Sequence, residues 1–226
     1  MKDSYLVCLL LINLLVSIKS YALDVQPISV REKVSSLNNS SLLISNNTTQ
    51  DQYIELTVKK VINPGTPEEH LIDADSREFD VYPRVFINRP NNKRKVFMLY
   101  NGEPIESEVA YRIYVEDKVS RKRVESEEVY EDVSLNITTN IRYGVLVLLY
   151  PDVIKYDYQV ESKADSWTVV NNGNVRFHLA YSKCSEEGVA VDFSQRLYPG
   201  SSTVIGKCGP SRLQILNESK NTLYEN

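Results

Sequence analysis

At 226 residues the chain is long enough for one large or two modest domains. Its formal charge of -4 is ordinary for a soluble secreted protein and argues against a nucleic-acid binder. Three cysteines are too few for a cysteine-rich zinc site once one of them, Cys8, is seen to lie in an apolar leader.

That leader comes first. Lys2 gives a weak basic start diluted by Asp3, Tyr5 to Val16 is apolar apart from Asn13, and Ser20-Tyr21-Ala22 is a small-x-small cleavage site. The pattern is that of a secretory signal peptide over 1–22, too short for a membrane anchor. No other run is long and apolar enough to span a bilayer. With Lys2, Lys19 and Asp3 removed, the formal charge moves from -4 to -5. Export also sets the redox compartment. Cys184 and Cys208 remain, and one disulfide is their natural pairing, closing a loop that contributes roughly 3 kcal/mol.

The mature chain shows no convincing amphipathic helix. Apolar residues alternate in short blocks separated by Asn, Gly, Pro and Ser. Leu42 to Ile44 is a strand core between asparagine pairs. Ile54, Leu56 and Val58 alternate with Glu55, Thr57 and Lys59, and Pro64-Gly65 turns the chain. Val81 to Ile87, Val96 to Tyr100 and Val109 to Val115 are three further strands. From Glu116 to Asp132 the pattern dissolves into a charged loop, with Lys118, Arg121, Lys122 and Arg123 followed by Glu125, Glu127, Glu128, Glu131 and Asp132.

Then comes the most informative stretch, Val133 to Tyr143. Apolar and polar residues alternate with one slip at Thr139, and the apolar pattern continues to Leu149 before Pro151 stops it. Period two predicts a strand with one apolar face. At up to about eighteen residues, or roughly 60 Å, it outruns an ordinary strand. Such an overhang offers free backbone groups and a row of aliphatic side chains for adding a strand to another sheet.

After Pro151 a second set begins. Ser166 to Val169 and Val175 to Leu179 alternate on either side of Asn171-Asn172-Gly173, which predicts a hairpin. Val204-Ile205 and Leu213 to Leu216 complete a smaller unit. The expected organisation is a signal over 1–22, a first β-sandwich over 23–150 and a second over 151–226.

Catalytic chemistry is missing. His70 and His178 read as solvated, no Gly-x-Ser-x-Gly elbow or phosphate loop is present, and the acidic clusters lie in loops. The expectation is no enzyme, no cofactor and no metal. Sequons at Asn39, Asn46, Asn47, Asn136 and Asn217 are what Asn-rich turns generate by chance.

Lys59 to Thr66, Tyr111 to Tyr114, Tyr82 to Ile87, and Asn171 to Arg176 followed by Cys184 occur in an order that resembles the periplasmic chaperones of chaperone–usher pilus assembly. The alternate-pathway branch serving colonisation-factor fimbriae is the nearest resemblance. It implies two immunoglobulin-like domains in an L, whose first domain lends a strand to a pilin or tip-adhesin subunit and passes it to an outer-membrane usher. The resemblance makes Val133, Leu135 and Ile137 the donor side chains. It makes Arg142, five residues after Ile137, an anchor for the pilin carboxylate, with Arg31 on the first mature strand as its second half. It implies a periplasmic location, no stable membrane insertion, no nucleic-acid partner, and self-association through the exposed strand when unbound.

Two other readings compete. A structural fimbrial subunit or adhesin should carry an N-terminal extension of alternating hydrophobics, and Leu23 to Val30 is short and interrupted by Pro27. A glycosylated receptor fragment should show a Cys–Trp–Cys core in each domain, and the first has no cysteine.

Overall fold

Among the described residues every regular element but one is a strand, as alternating patterns this short require. A computed structural model describes residues 23–118, 141–185, 189–208 and 212–226. Ten strands come first: β1 (Leu23–Gln26), β2 (Ser29–Lys33), β3 (Ser41–Asn46), β4 (Gln52–Ile62), β5 (His70–Asp73), β6 (Phe79–Tyr82), β7 (Val85–Asn88), β8 (Lys93–Tyr100), β9 (Val109–Asp117) and β10 (Arg142–Tyr150). Seven follow: β11 (Tyr158–Ser162), β12 (Ser166–Asn171), β13 (Phe177–Cys184), β14 (Ala190–Leu197), β15 (Ser202–Gly206), β16 (Leu213–Leu216) and β17 (Thr222–Glu225). A 3-10 turn, Val34–Asn39, drops Leu37 into the core.

The first ten strands form two sheets, ordered β1-β3-β8-β6 and β2-β10-β9-β4-β5, with β7 also on β4. Between them lies a core that includes Leu42, Ile44, Ile54, Leu56, Phe79, Val96, Met98, Tyr111, Ile113, Val145 and Val147. The last seven form sheets β11-β12-β15 and β14-β13-β16-β17 over a core around Trp167, Val169, Phe177, Leu179 and Ile215. Asn63 and Gly65 both take positive φ (51° and 74°), which closes the expected turn after β4 and suits Gly65 to its place. Cys184 and Cys208 are joined by a disulfide.

Two sequence expectations are corrected here. Val81 to Ile87 is not one strand. Pro83 cannot donate to a ladder, and the chain breaks there into β6 and β7, which lie in opposite sheets. The hairpin at Asn171-Asn172-Gly173 is likewise a crossing between sheets, since β12 pairs β11 and β15 whereas β13 pairs β14 and β16. The side chain of buried Asn171 holds that crossing. Its Nδ2 donates to the carbonyls of Val175 (3.0 Å) and Leu197 (2.9 Å), and its Oδ1 accepts from Gly173 N–H. A β-carbon on Gly173 would come within 2.5 Å of the Lys155 carbonyl, so only glycine fits.

Candidate functional site: the outer face of the β10 sheet

Pleating sends Ile54, Leu56 and Val58 of β4 inward, and with them Ile113 and Val115 of β9 and Val145 and Val147 of β10. Their neighbours in sequence therefore pave the outer face. The register arranges these in rows: Glu55, Glu116 and Arg142; then Thr57, Tyr114 and Gly144; then Lys59, Arg112 and Leu146; then Val61, Ala110 and Leu148. Arg142 is half exposed, at 51% of its side chain. Its guanidinium donates to the Glu116 carboxylate and lies 4.5 Å from the centre of the Tyr114 ring. Lys118 reaches Glu116 at 2.5 Å and Glu55 at 3.2 Å. The Lys118 hydrogen bond, then that of Arg142, hold the Glu116 carboxyl below its ordinary range.

At Arg142 the sheet has an open edge. β2 runs parallel to β10 but pairs only with Leu146 to Tyr150, because the preceding segment, β1, belongs to the other sheet. Among the described residues no strand covers the β2 side of Arg142 to Val145. Gly144 sits in this stretch without positive φ, and an added β-carbon would make only ordinary contacts, the nearest at 3.5 Å. The chain's own packing does not require a glycine there. Its effect is bare backbone at an open edge, where another strand can approach closely.

The structure does not bring Arg31 and Arg142 together. Arg31 lies opposite Leu148, six residues along β10 from Arg142, or roughly 20 Å at about 3.3 Å per residue. Arg31 belongs to the joint between the sandwiches. Its Nη2 is 3.0 Å from Oε2 of Glu108, and its guanidinium covers the Tyr150 ring at 4.3 Å. The Glu108 side chain is fully buried, and burial raises its pKa against the pull of Arg31 and Arg176. From the second sandwich Arg176 Nε stands 3.6 Å from Glu108 and 2.6 Å from Glu218. Burial alone would raise the Glu218 pKa, but the Arg176 hydrogen bond and charge, with His178 and Arg31 behind them, bring it below its ordinary value. Val61, Ala110 and Leu148 pack beside this network, with Tyr198 from the second sandwich against them.

No family model matches the chain. A CS1 fimbrial subunit of Escherichia coli is 28% identical over 162 residues, 67% of either chain. The crystal structure of the class 5 fimbriae chaperone CfaA superposes with a TM-score of 0.68 at 20% identity, covering 91% of this chain and 97% of that one. The chain has the fold of the fimbrial chaperones. A chain from a chaperone–tip adhesin complex of CFA/I fimbriae biogenesis matches similarly, with a TM-score of 0.65, 22% identity and coverage of 91% and 96%. These are two-domain immunoglobulin-like proteins, and the two sandwiches here follow the same plan.

Within the chaperone fold, the sequence reading found the β10 sheet and missed the joint. Val133, Leu135 and Ile137 lie outside the described residues, as does the signal segment. Arg176 closes the Asn171 to Arg176 motif but was given no role, and Glu108 and Glu218 carried no sequence signal beyond being charges near strand ends. His178, expected to face solvent, is largely covered, with Nε2 3.4 Å from Glu218. His70 is exposed as expected. Asn46, a nominal sequon, is fully buried and spends its amide on the carbonyls of Asn88 (2.7 Å) and Gln50 (2.8 Å).

Proposed function

We propose that the chain is a periplasmic chaperone of fimbrial assembly that captures a pilus subunit by lending it a strand and delivers it to an outer-membrane usher. The observation that carries this is the open edge of β10 at Arg142 to Val145, in a fold shared along its length with fimbrial chaperones. The first sandwich, 23–150, does the capturing, and 151–226 forms the second domain. The strand-lending residues are Val133, Leu135 and Ile137, which precede β10 in the alternating run. Buried in a subunit's groove, each contributes about 1.5–3 kcal/mol before ordering costs. Arg142 anchors the subunit's terminal carboxylate. It is half exposed, at the open edge, and bound to a carboxylate already. Arg31 holds the joint and is too distant to share that anchor.

The relative's name, a fimbrial subunit, favours a second reading in which the chain is itself built into the fimbria. Purified fimbriae separate the two, since a chaperone is absent from them and a structural subunit is not.

The test of the site is Arg142→Ala with a co-expressed cognate subunit. Truncating one member of a desolvated charge pair costs about 2–5 kcal/mol, whereas an exposed strand arginine is worth about half a kcal/mol or less. Capture should fail while the melting curve of the chaperone stays in place. Co-purification of wild-type amounts of pilus protein rejects the anchor.

A further inference from the structure

The turn between β7 and β8 gathers cations in an otherwise acidic chain. From Val81 to Gly102 there is no Asp or Glu, while Arg84, Arg89, Lys93, Arg94 and Lys95 fall within it. Arg84 pairs with Asp80, and the other four form no ion pair among the described residues. All four are exposed. Arg89 and Asn92 close the turn by a backbone bond of 3.1 Å. Lys93 and Lys95 point outward from β8, on either side of core-facing positions, and Arg94 covers the Phe86 ring at 5.5 Å.

The fold puts these cations at one end of the first sandwich. β7 pairs with Gln52 to Glu55, the start of β4, whereas the joint with the second sandwich involves Val61 at the other end of that strand. The basic turn therefore projects at the tip farthest along β4 from the joint. Ile87, next to the turn, is 52% exposed and stands across from the exposed Tyr53. The acids that the register brings to the same end are Asp24 on β1, Asp51 before β4, Glu55 on β4, which Lys118 binds, and Asp117 on β9, which accepts the Tyr53 N–H.

The same tip is where the chain enters the fold. Leu23 pairs with Asn46, next to Ser45, the partner of Lys93. Only residues 17–22 separate Leu23 from the apolar run Tyr5 to Val16.

We propose that the β7–β8 tip is a peripheral docking surface for anionic lipid headgroups, with Arg89, Lys93, Arg94 and Lys95 as its cations. Clustered basic residues with an apolar neighbour are what such a surface attracts, at roughly fivefold in affinity per residue. The contact is electrostatic and reversible, weakened by salt. It does not depend on whether β10 captures a pilus protein.

The test is vesicle flotation of the purified secreted chain. The vesicles are phosphatidylcholine alone, or phosphatidylcholine with about 30 mol% phosphatidylglycerol, at low salt and at about 0.5 M salt. The chain should float with the anionic vesicles only, and at low salt only. The triple variant Arg89→Gln/Lys93→Gln/Lys95→Gln should lose roughly a hundredfold in affinity. Lys155→Gln/Lys183→Gln/Lys220→Gln, which removes the same charge from the second sandwich, should bind as wild type. Melting curves of both variants show that they are folded. Failure of the wild type to float with anionic vesicles, or equal loss in the two triple variants, overturns the proposal. Binding to poly-glutamate without binding to vesicles also overturns it and assigns the tip to an acidic protein partner.

Discussion

Glu108 is the residue whose removal the joint should feel most. Its side chain has no solvent exposure, and it faces Arg31 at 3.0 Å and Arg176 at 3.6 Å. Arg176 is itself only 7% exposed. Glu108→Ala would leave two cations facing a small apolar gap. Arg176 keeps Glu218, but the Arg31 Nη2 loses its hydrogen-bonded carboxylate. Breaking a buried pair by deleting one partner costs about 3–5 kcal/mol, because the remaining charge stays desolvated. For a chain of this size about 1 kcal/mol moves the melting temperature by roughly 2–4 °C, so the variant should melt about 6–20 °C lower. The matched control is Arg77→Ala. Its pair with Asp75 has side chains 90% and 47% exposed. Such solvent-screened surface pairs contribute little, so that variant should melt within a few degrees of wild type. Differential scanning calorimetry on wild type and both variants decides. A Glu108→Ala shift no larger than that of Arg77→Ala would refute the assignment of the network as a desolvated joint.

The pH dependence of the Glu218 contribution has a definite sign. Glu218 is held below its ordinary value of 4.5, so its contribution is complete above that pH and is lost as pH falls through the lowered value. The melting-temperature gap between wild type and Glu218→Gln should therefore narrow as pH drops below 4.5, and a gap constant from pH 7 to 3 would contradict this. Asn46→Ala should destabilise by about 2–4 kcal/mol in urea titrations, since buried partners lose their bonds, and expression in a glycosylating host should leave Asn46 unmodified by mass spectrometry. Replacing both cysteines with serine opens a loop spanning 24 residues of separation and should cost about 3 kcal/mol in the same titration. No change there would mean that the unfolded chain is not loosened by reduction.

What could be read in advance follows from what burial writes into a sequence. β4 and β9 were legible because each has one face against the core, so that Ile54, Leu56 and Val58, or Ile113 and Val115, recur with period two. β5 was not, because all four of its residues are exposed and nothing forces an alternation. Periodicity also says which face a residue takes but not which sheet. Val81 to Ile87 changes sheets at Pro83 and with it the inward parity, from Val81 to Phe86, and Asn171-Asn172-Gly173 carries a hairpin's composition yet serves a crossing. In the second case the deciding bonds run from Asn171 to Leu197, a partner that no local pattern names.

The arginines show the same limit where it matters for function. The resemblance named both as halves of one anchor, and β2 does border β10. Their separation depends on where β2 joins. The chain spends Leu23 to Gln26 in the opposite sheet, crosses at Pro27 and Ile28, and meets β10 only at Leu146. That late arrival has two consequences. It carries Arg31 past the open stretch to the joint, where Glu108 and Tyr150 take its charge, and it leaves Arg142 to Val145 without a neighbour on that side. The register that separates Arg31 from Arg142 is thus the same one that opens the edge beside Arg142. An early-joining β2 would have brought Arg31 beside Arg142 and closed that edge.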